Sequence, residues 1–205
     1  MTRESTGNLA LLAGSANAPL CRAIAAELGQ ELRPVECERF PDGETHVRIG
    51  ATVRGGDVYV VQPTGPPVND NMIELLLLID ACRRAGAARV TAVMPYFGYA
   101  RHDRRAGGRE AIGARVMADV LAAVKLDRVI ALDLHSPAIE GFLSMPLEHI
   151  TAVPVIAAVL QEHMPPDAVV VSLDLGAARL AERYGRVLEV PVAMVEKTRL
   201  GPRQV

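Results

Sequence analysis

The chain has 205 residues, is half hydrophobic and carries a formal net charge of -2 at pH 7. That length allows one large core or two small ones. The charge balance argues against a nucleic-acid partner, which needs a basic surface. The first apolar run, residues 9–13, is too short for a signal or membrane segment, so no membrane partner is expected. Cys21, Cys37 and Cys82 are odd in number and show no Cys-x-x-Cys spacing, as in a reduced, cytoplasmic protein without a metal or redox motif.

Leu9-Ala10-Leu11-Leu12-Ala13-Gly14 reads as a buried strand ending on glycine. Pro19 then opens a helix reaching Leu28 and ending at Gly29, with Leu20, Ile24 and Leu28 expected to face the core. Residues 33–38 form a second expected strand. In Arg39-Phe40-Pro41-Asp42-Gly43-Glu44, a fixed φ, a local acceptor and a glycine predict a turn, and on local chemistry a plain hairpin. Residues 45–49 and 57–62 follow as strands. After the loop 63–67, Asn69-Asp70 is expected to cap a helix with the apolar stripe Met72, Leu75, Leu76, Ile79 and Cys82, stopped by Gly86. Glu74 and Asp80 on that helix read as structural.

Residues 90–94 form an apolar run that delivers the densest chemistry in the chain. The protein has only seven aromatics (Tyr 4, Phe 3, no Trp), and three of them are Tyr96, Phe97 and Tyr99. Arg101, His102, Arg104, Arg105 and Arg109 then crowd into nine positions before a helical pattern at 112–124. The plainer reading is a solvated basic loop. However, loops at the carboxyl ends of strands in open α/β sheets are where ligands bind, and arginine forks with a following helix N-terminus suit phosphate oxygens.

Residues 128–135 read as a strand terminating in Asp133-Leu134-His135, so that Asp133 and His135 are expected on the same side. They could bind a divalent cation or its waters, or simply form a hydrogen-bonded polar pair. A boundary is expected near 149–154, dividing the chain into 1–150 and 151–205. The second part reads as helix 155–161, strand 168–171, turn 172–176, helix 177–187 and strand 190–195, followed by a terminal tail with Lys197 and Arg199. Alternating short apolar runs and helical patterns predict an α/β fold.

Tyr99-Ala100-Arg101-His102-Asp103-Arg104, with Arg109-Glu110 after it, resembles the ATP-binding loop of ribose-phosphate diphosphokinases, the phosphoribosyl-pyrophosphate synthetases. Four further stretches resemble that family in its own order. The turn at 39–44 is similar to its adenine-binding turn. Asp133 to Phe142 is similar to its cation-binding signature, Asp174 to a second metal-associated aspartate, and Lys197-Thr198-Arg199 to its mobile catalytic loop.

The resemblance implies a phosphoribosyltransferase-like parallel sheet flanked by helices, in one complete N-terminal ATP-binding domain and part of a second. It implies transfer of diphosphate from ATP to ribose 5-phosphate, giving phosphoribosyl pyrophosphate and AMP. Phe40, Asp42, Glu44, Arg101, His102 and Asp103 would bind ATP. Asp133, His135 and Asp174 would serve Mg2+, and Lys197 and Arg199 would act in catalysis. It further implies a cytoplasmic homo-oligomer, a hexamer built from dimers. The departures are His102 and Glu140, where the family has glutamine, and Leu173, where proline is usual. No Asp-Asp-x-x-Asp-Thr-Gly-Gly-Thr-like stretch, the family's sugar-phosphate loop, occurs in these residues. Two function classes therefore stand side by side: a Mg-dependent diphosphokinase, and a non-catalytic nucleotide-binding or assembly partner of the same family.

Overall fold

The computed structural model describes residues 9–195. The chain divides into two compact units, Met1–Ile150 and Thr151–Val205. In the first, strands β1 (Leu9–Ala13), β2 (Leu32–Arg33), β5 (Asp57–Val61), β6 (Arg89–Met94), β7 (Arg128–Leu132) and β8 (Leu147–Ile150) form a six-stranded sheet. Its order is β2-β1-β5-β6-β7-β8, and every neighbouring pair is parallel. β3 (Val35–Arg39) and β4 (Thr45–Ile49) form a separate antiparallel hairpin.

Side chains alternate across the sheet with the period of two that strands impose. Ala10 and Leu12, Val58 and Val60, and Val90, Ala92 and Met94 belong to one core with residues of α2 (Val68–Arg84) and α3 (Gly113–Ala123). Leu11 and Val61 face the other way, against Cys21 and Ala25 of α1 (Ala18–Glu27). A strand buried on both faces reads as a continuous apolar run, as parallel strands do. The hairpin covers α2 through Val35, Val47 and Ile49.

Several expectations shift in register. The expected strand at 33–38 is two strands, because Pro34 has no N–H to donate and breaks the ladder. Leu32 pairs with β1, while Val35 starts the hairpin. Helix α1 buries Cys21 and Ala25, and the expected core residue Leu28 is 55% exposed. Asn69 and Asp70 do not cap α2; they lie inside its first turn, and Pro67 stands at the N-cap without a side-chain bond. Of the expected stripe, Met72, Leu75, Ile79 and Cys82 are buried and Leu76 is half-buried, while Leu78 is buried in addition. β8 was not anticipated from the sequence. β7 ends at Leu132, and Asp133 has φ 43, so the strand alternation expected to align Asp133 with His135 does not extend to them.

The second unit contains α4 (Val153–Gln161), β9 (Val170–Ser172), α5 (Ala178–Leu188) and β10 (Val192–Met194), with β10 and β9 paired in parallel. Gly185 lets α5 approach β10, since a Cβ there would fall 2.3 Å from Val192 Cγ2. Val155, Val159, Val171, Leu173 and Met194 are each at least half exposed.

Two predictions follow from the first core. Leu78 is fully buried on α2, so Leu78→Ala should lower stability by about 2–5 kcal/mol, read as a lower urea midpoint at unchanged slope. Burial pushes the Cys82 thiol up to about 12 from 9.0. The folded state therefore keeps the proton longer than the unfolded one. The stability that this contributes is fully present below pH 9 and is lost as pH rises through 12. Iodoacetamide at pH 8 should label Cys82 only after urea unfolding, as peptide mass mapping would detect.

Candidate functional site

The turn at the tip of the β3–β4 hairpin closes on itself. Phe40 N donates to Glu44 O at 2.8 Å, Gly43 N to Phe40 O at 2.9 Å, and Glu44 N to Asp42 Oδ1 at 3.1 Å. Gly43 adopts φ 93, which its lack of Cβ permits. Phe40, Asp42 and Glu44 are all exposed, and the Phe40 ring lies 5.5 Å from that of His46. Behind the tip, Arg39 Nη2 meets Asp70 Oδ2 of α2 at 2.6 Å.

The cationic loop leaves the carboxyl end of β6. Phe97 is buried and fastens its start to the core, while Tyr96 is exposed. Tyr99 takes φ 65, and its hydroxyl bonds Asn69 Oδ1 on α2. His102 N donates to Tyr99 O at 2.9 Å, and Ala114 N of α3 donates to His102 O at 3.1 Å. Glu110 Oε2 accepts from Ala106 N and Gly107 N at 2.8 and 3.0 Å. That carboxylate thus ties the loop's own backbone and leaves the guanidinium groups alone. Arg101, Arg104, Arg105 and Arg109 are exposed, and among the described residues none is in an ion pair. Arg39, Arg48, Arg84, Arg89 and Arg115 each pair with a carboxylate. An excess of positive charge on one loop, four arginines against Asp103 and Glu110, next to the N-terminus of α3, attracts an anion.

β7 is the parallel neighbour of β6, so Asp133, Leu134 and His135 emerge at the same edge of the sheet as the cationic loop. Asp133 N donates to Ile150 O and Leu134 N to His149 Nε2, both at 3.0 Å, which fixes the bend. Asp133 and His135 are exposed. Asp174 lies in the second unit, where Oδ1 accepts from Ala177 N at 2.9 Å and Ser172 Oγ donates to Asp174 O at 2.7 Å. These two bonds define the turn despite leucine at 173. Among the described residues, no group of three or more His, Cys, Asp or Glu side chains is placed to hold a metal ion. Lys197 and Arg199 lie outside the described residues.

Sequence reasoning missed a set of buried polar residues behind these loops: Gln62, Thr64, Asn71 and Glu74. Glu74, read as structural, takes Ser15 N and Ser15 Oγ on its two oxygens, each at 2.6 Å. Gln62 Oε1 accepts from Ala16 N at 3.2 Å, and Asn71 Nδ2 donates to Gly65 O at 2.9 Å. Beside them lies a cleft of ≈ 370 Å³, lined by Ser15, Cys37, Arg39, Thr45, Asn71 and Glu74. It sits beyond β1 and β5, where the strand order reverses. Burial, then the Glu74 charge, pushes the Cys37 thiol up to about 11. The signal available in the sequence was polar residues directly after the apolar strand, at 62 and 64.

Residues 9–124 match the family model described as the N-terminal domain of ribose phosphate pyrophosphokinase. A ribose-phosphate pyrophosphokinase of Gloeobacter violaceus is 46% identical over 198 residues, covering 96% of this chain and 60% of that protein. One from Staphylococcus saprophyticus is 43% identical, over 91% of this chain and 59% of its own length. The crystal structure of phosphoribosylpyrophosphate synthetase from Mycobacterium smegmatis superposes with a TM-score of 0.89 at 40% identity, covering 94% of this chain and 65% of that one. The chain thus spans about 60% of the length of the curated relatives it matches. With its parallel six-stranded sheet and cationic loop, the chain belongs to the ribose-phosphate pyrophosphokinase family.

Proposed function

We propose that the chain supplies the ATP-binding part of a ribose-phosphate diphosphokinase. The reaction moves the β,γ-diphosphate of ATP to the anomeric hydroxyl of ribose 5-phosphate and releases AMP. The observation that carries this reading is the unpaired arginine cluster at the carboxyl end of β6, beside the Asp-Leu-His bend after β7. Phosphoryl transfer asks the protein chiefly for positioning and neutralisation of charge. Arg101 and His102 would donate to triphosphate oxygens. Phe40 would lie against the base, with Asp42 and Glu44 accepting from its edge or from the ribose.

A Mg2+ site at the β7 end is part of the proposal, since the ion binds through one or two carboxylates while keeping waters and phosphate oxygens. Asp133 would supply the carboxylate there, and His135 an imidazole to the ion or one of its waters. When bound, the ion would neutralise charge on the phosphates. Asp174, Lys197 and Arg199 are proposed to act from the second part of the chain, the last two stabilising charge on the transferring group. Assembly into a homo-oligomer, a hexamer on the family's pattern, belongs to the same proposal, as do ribose 5-phosphate as acceptor and a cytoplasmic location.

The reading is tested by AMP release from ATP, Mg2+ and ribose 5-phosphate, alongside calorimetric titration of Mg-ATP. Arg101→Ala should weaken Mg-ATP binding about 10- to 100-fold, as expected for one charge-assisted hydrogen bond. Wild-type affinity that Arg101→Ala leaves unchanged would remove the loop from the site. Mg-ATP binding without AMP release would favour the alternative, a nucleotide-binding or assembly partner.

A further inference from the structure

We propose that Thr64 is the positioning residue of the cationic loop, fixing through one buried hydroxyl the turn from which Arg101 and His102 extend. The inference rests on the reading of that loop as the nucleotide site.

Thr64 follows β5 and is fully buried. Its backbone N donates to Tyr96 O at 2.9 Å. Its hydroxyl donates to the same carbonyl at 2.9 Å and accepts from Gly98 N at 2.7 Å. Both the carbonyl that opens the Tyr96–Gly98 turn and the amide that closes it therefore converge on one side chain. The steric fit is equally close, since a Cβ at Gly98 would lie 2.7 Å from Thr64 O and 2.9 Å from Val68 Cγ1. The absence of a side chain at Gly98 is what lets the turn seat this closely against residue 64.

The next residue, Tyr99, stands at φ 65 with its hydroxyl on Asn69, and its carbonyl takes His102 N. Hydrogen bonds at Tyr96, Gly98, Tyr99 and His102 thus follow one another from Thr64 to the residues flanking Arg101. Valine has nearly the volume of threonine, but it would leave Gly98 N buried without an acceptor. The chain relieves such an orphan by moving the turn toward water, and the loop moves with it.

A residue that only supports the core would change the melting temperature and nothing else. The test uses the whole 205-residue chain as wild type, Thr64→Val and Thr64→Ser. Amide hydrogen exchange over residues 96–102 and Mg-ATP affinity are measured well below each melting temperature. In Thr64→Val, exchange at 98–102 should rise and Mg-ATP affinity fall, each by about tenfold, while β5 and β6 stay protected. Thr64→Ser keeps the hydroxyl and should restore both. Thr64→Val with a lower melting temperature but wild-type loop exchange and affinity would overturn the proposal, as would Thr64→Ser behaving like valine. A wild-type chain that binds no Mg-ATP would sink the nucleotide reading, while the exchange comparison would still decide whether Thr64 holds the turn. If Thr64→Val does not fold, Thr64→Cys, a weaker donor and acceptor, replaces it with the same readouts and the same deciding outcomes.

Discussion

The carboxyl edge of the sheet depends on one constraint: the polar groups buried there must find partners. A hydroxyl, amide or carboxylate shut away from water without a bond costs far more than a made bond gains. Gln62, Thr64, Asn71 and Glu74 meet that demand by bonding the backbone of three segments, at Ser15 and Ala16, at Gly65 and at Gly98. The apolar faces of the sheet fix where the strands run. The polar set fixes how the chain leaves them, and the loops inherit their positions from it.

Helix α2 carries this constraint outward. Its first turns hold Asn69 against Tyr99 of the cationic loop, Asp70 against Arg39 just behind the hairpin tip, and Glu74 against Ser15. Both elements that resemble nucleotide-binding parts are thereby braced by adjacent residues of one helix. The two braces differ in kind. Arg39 and Asp70 are each about half exposed, so their ion pair is worth little to stability. The Glu74 and Thr64 contacts are buried or nearly so, and they define the geometry.

How much of this was legible in the sequence depended on period and burial. The stripe from Met72 to Cys82 could be read because α2 is long enough for its 3.6-residue repeat to declare itself. In α1 the repeat was read one residue off. Ile24 touches the core, but the small Cys21 and Ala25 lie deepest, and size-weighted reading favours leucines. Pro34 was legible as a strand ending only once its two sides were seen in different sheets. The cationic loop was legible from composition alone, because aromatics and arginines are so unevenly distributed along the chain. The polar residues that hold it were not. A threonine after a strand looks the same in sequence whether it faces water or closes a buried turn, and only the fold decides.

The bend after β7 has a consequence for which residues position 133 can accept. At φ 43 an ordinary side chain crowds its own carbonyl, whereas glycine, asparagine and aspartate tolerate the conformation. Glutamate, which bears the same charge, would fit there poorly. Asparagine would fit and would remove the charge without disturbing the backbone. Drift at this position is therefore channelled toward losing the carboxylate rather than lengthening it. On the proposed role of Asp133, a single conservative step that the backbone permits would remove the charge offered to Mg2+.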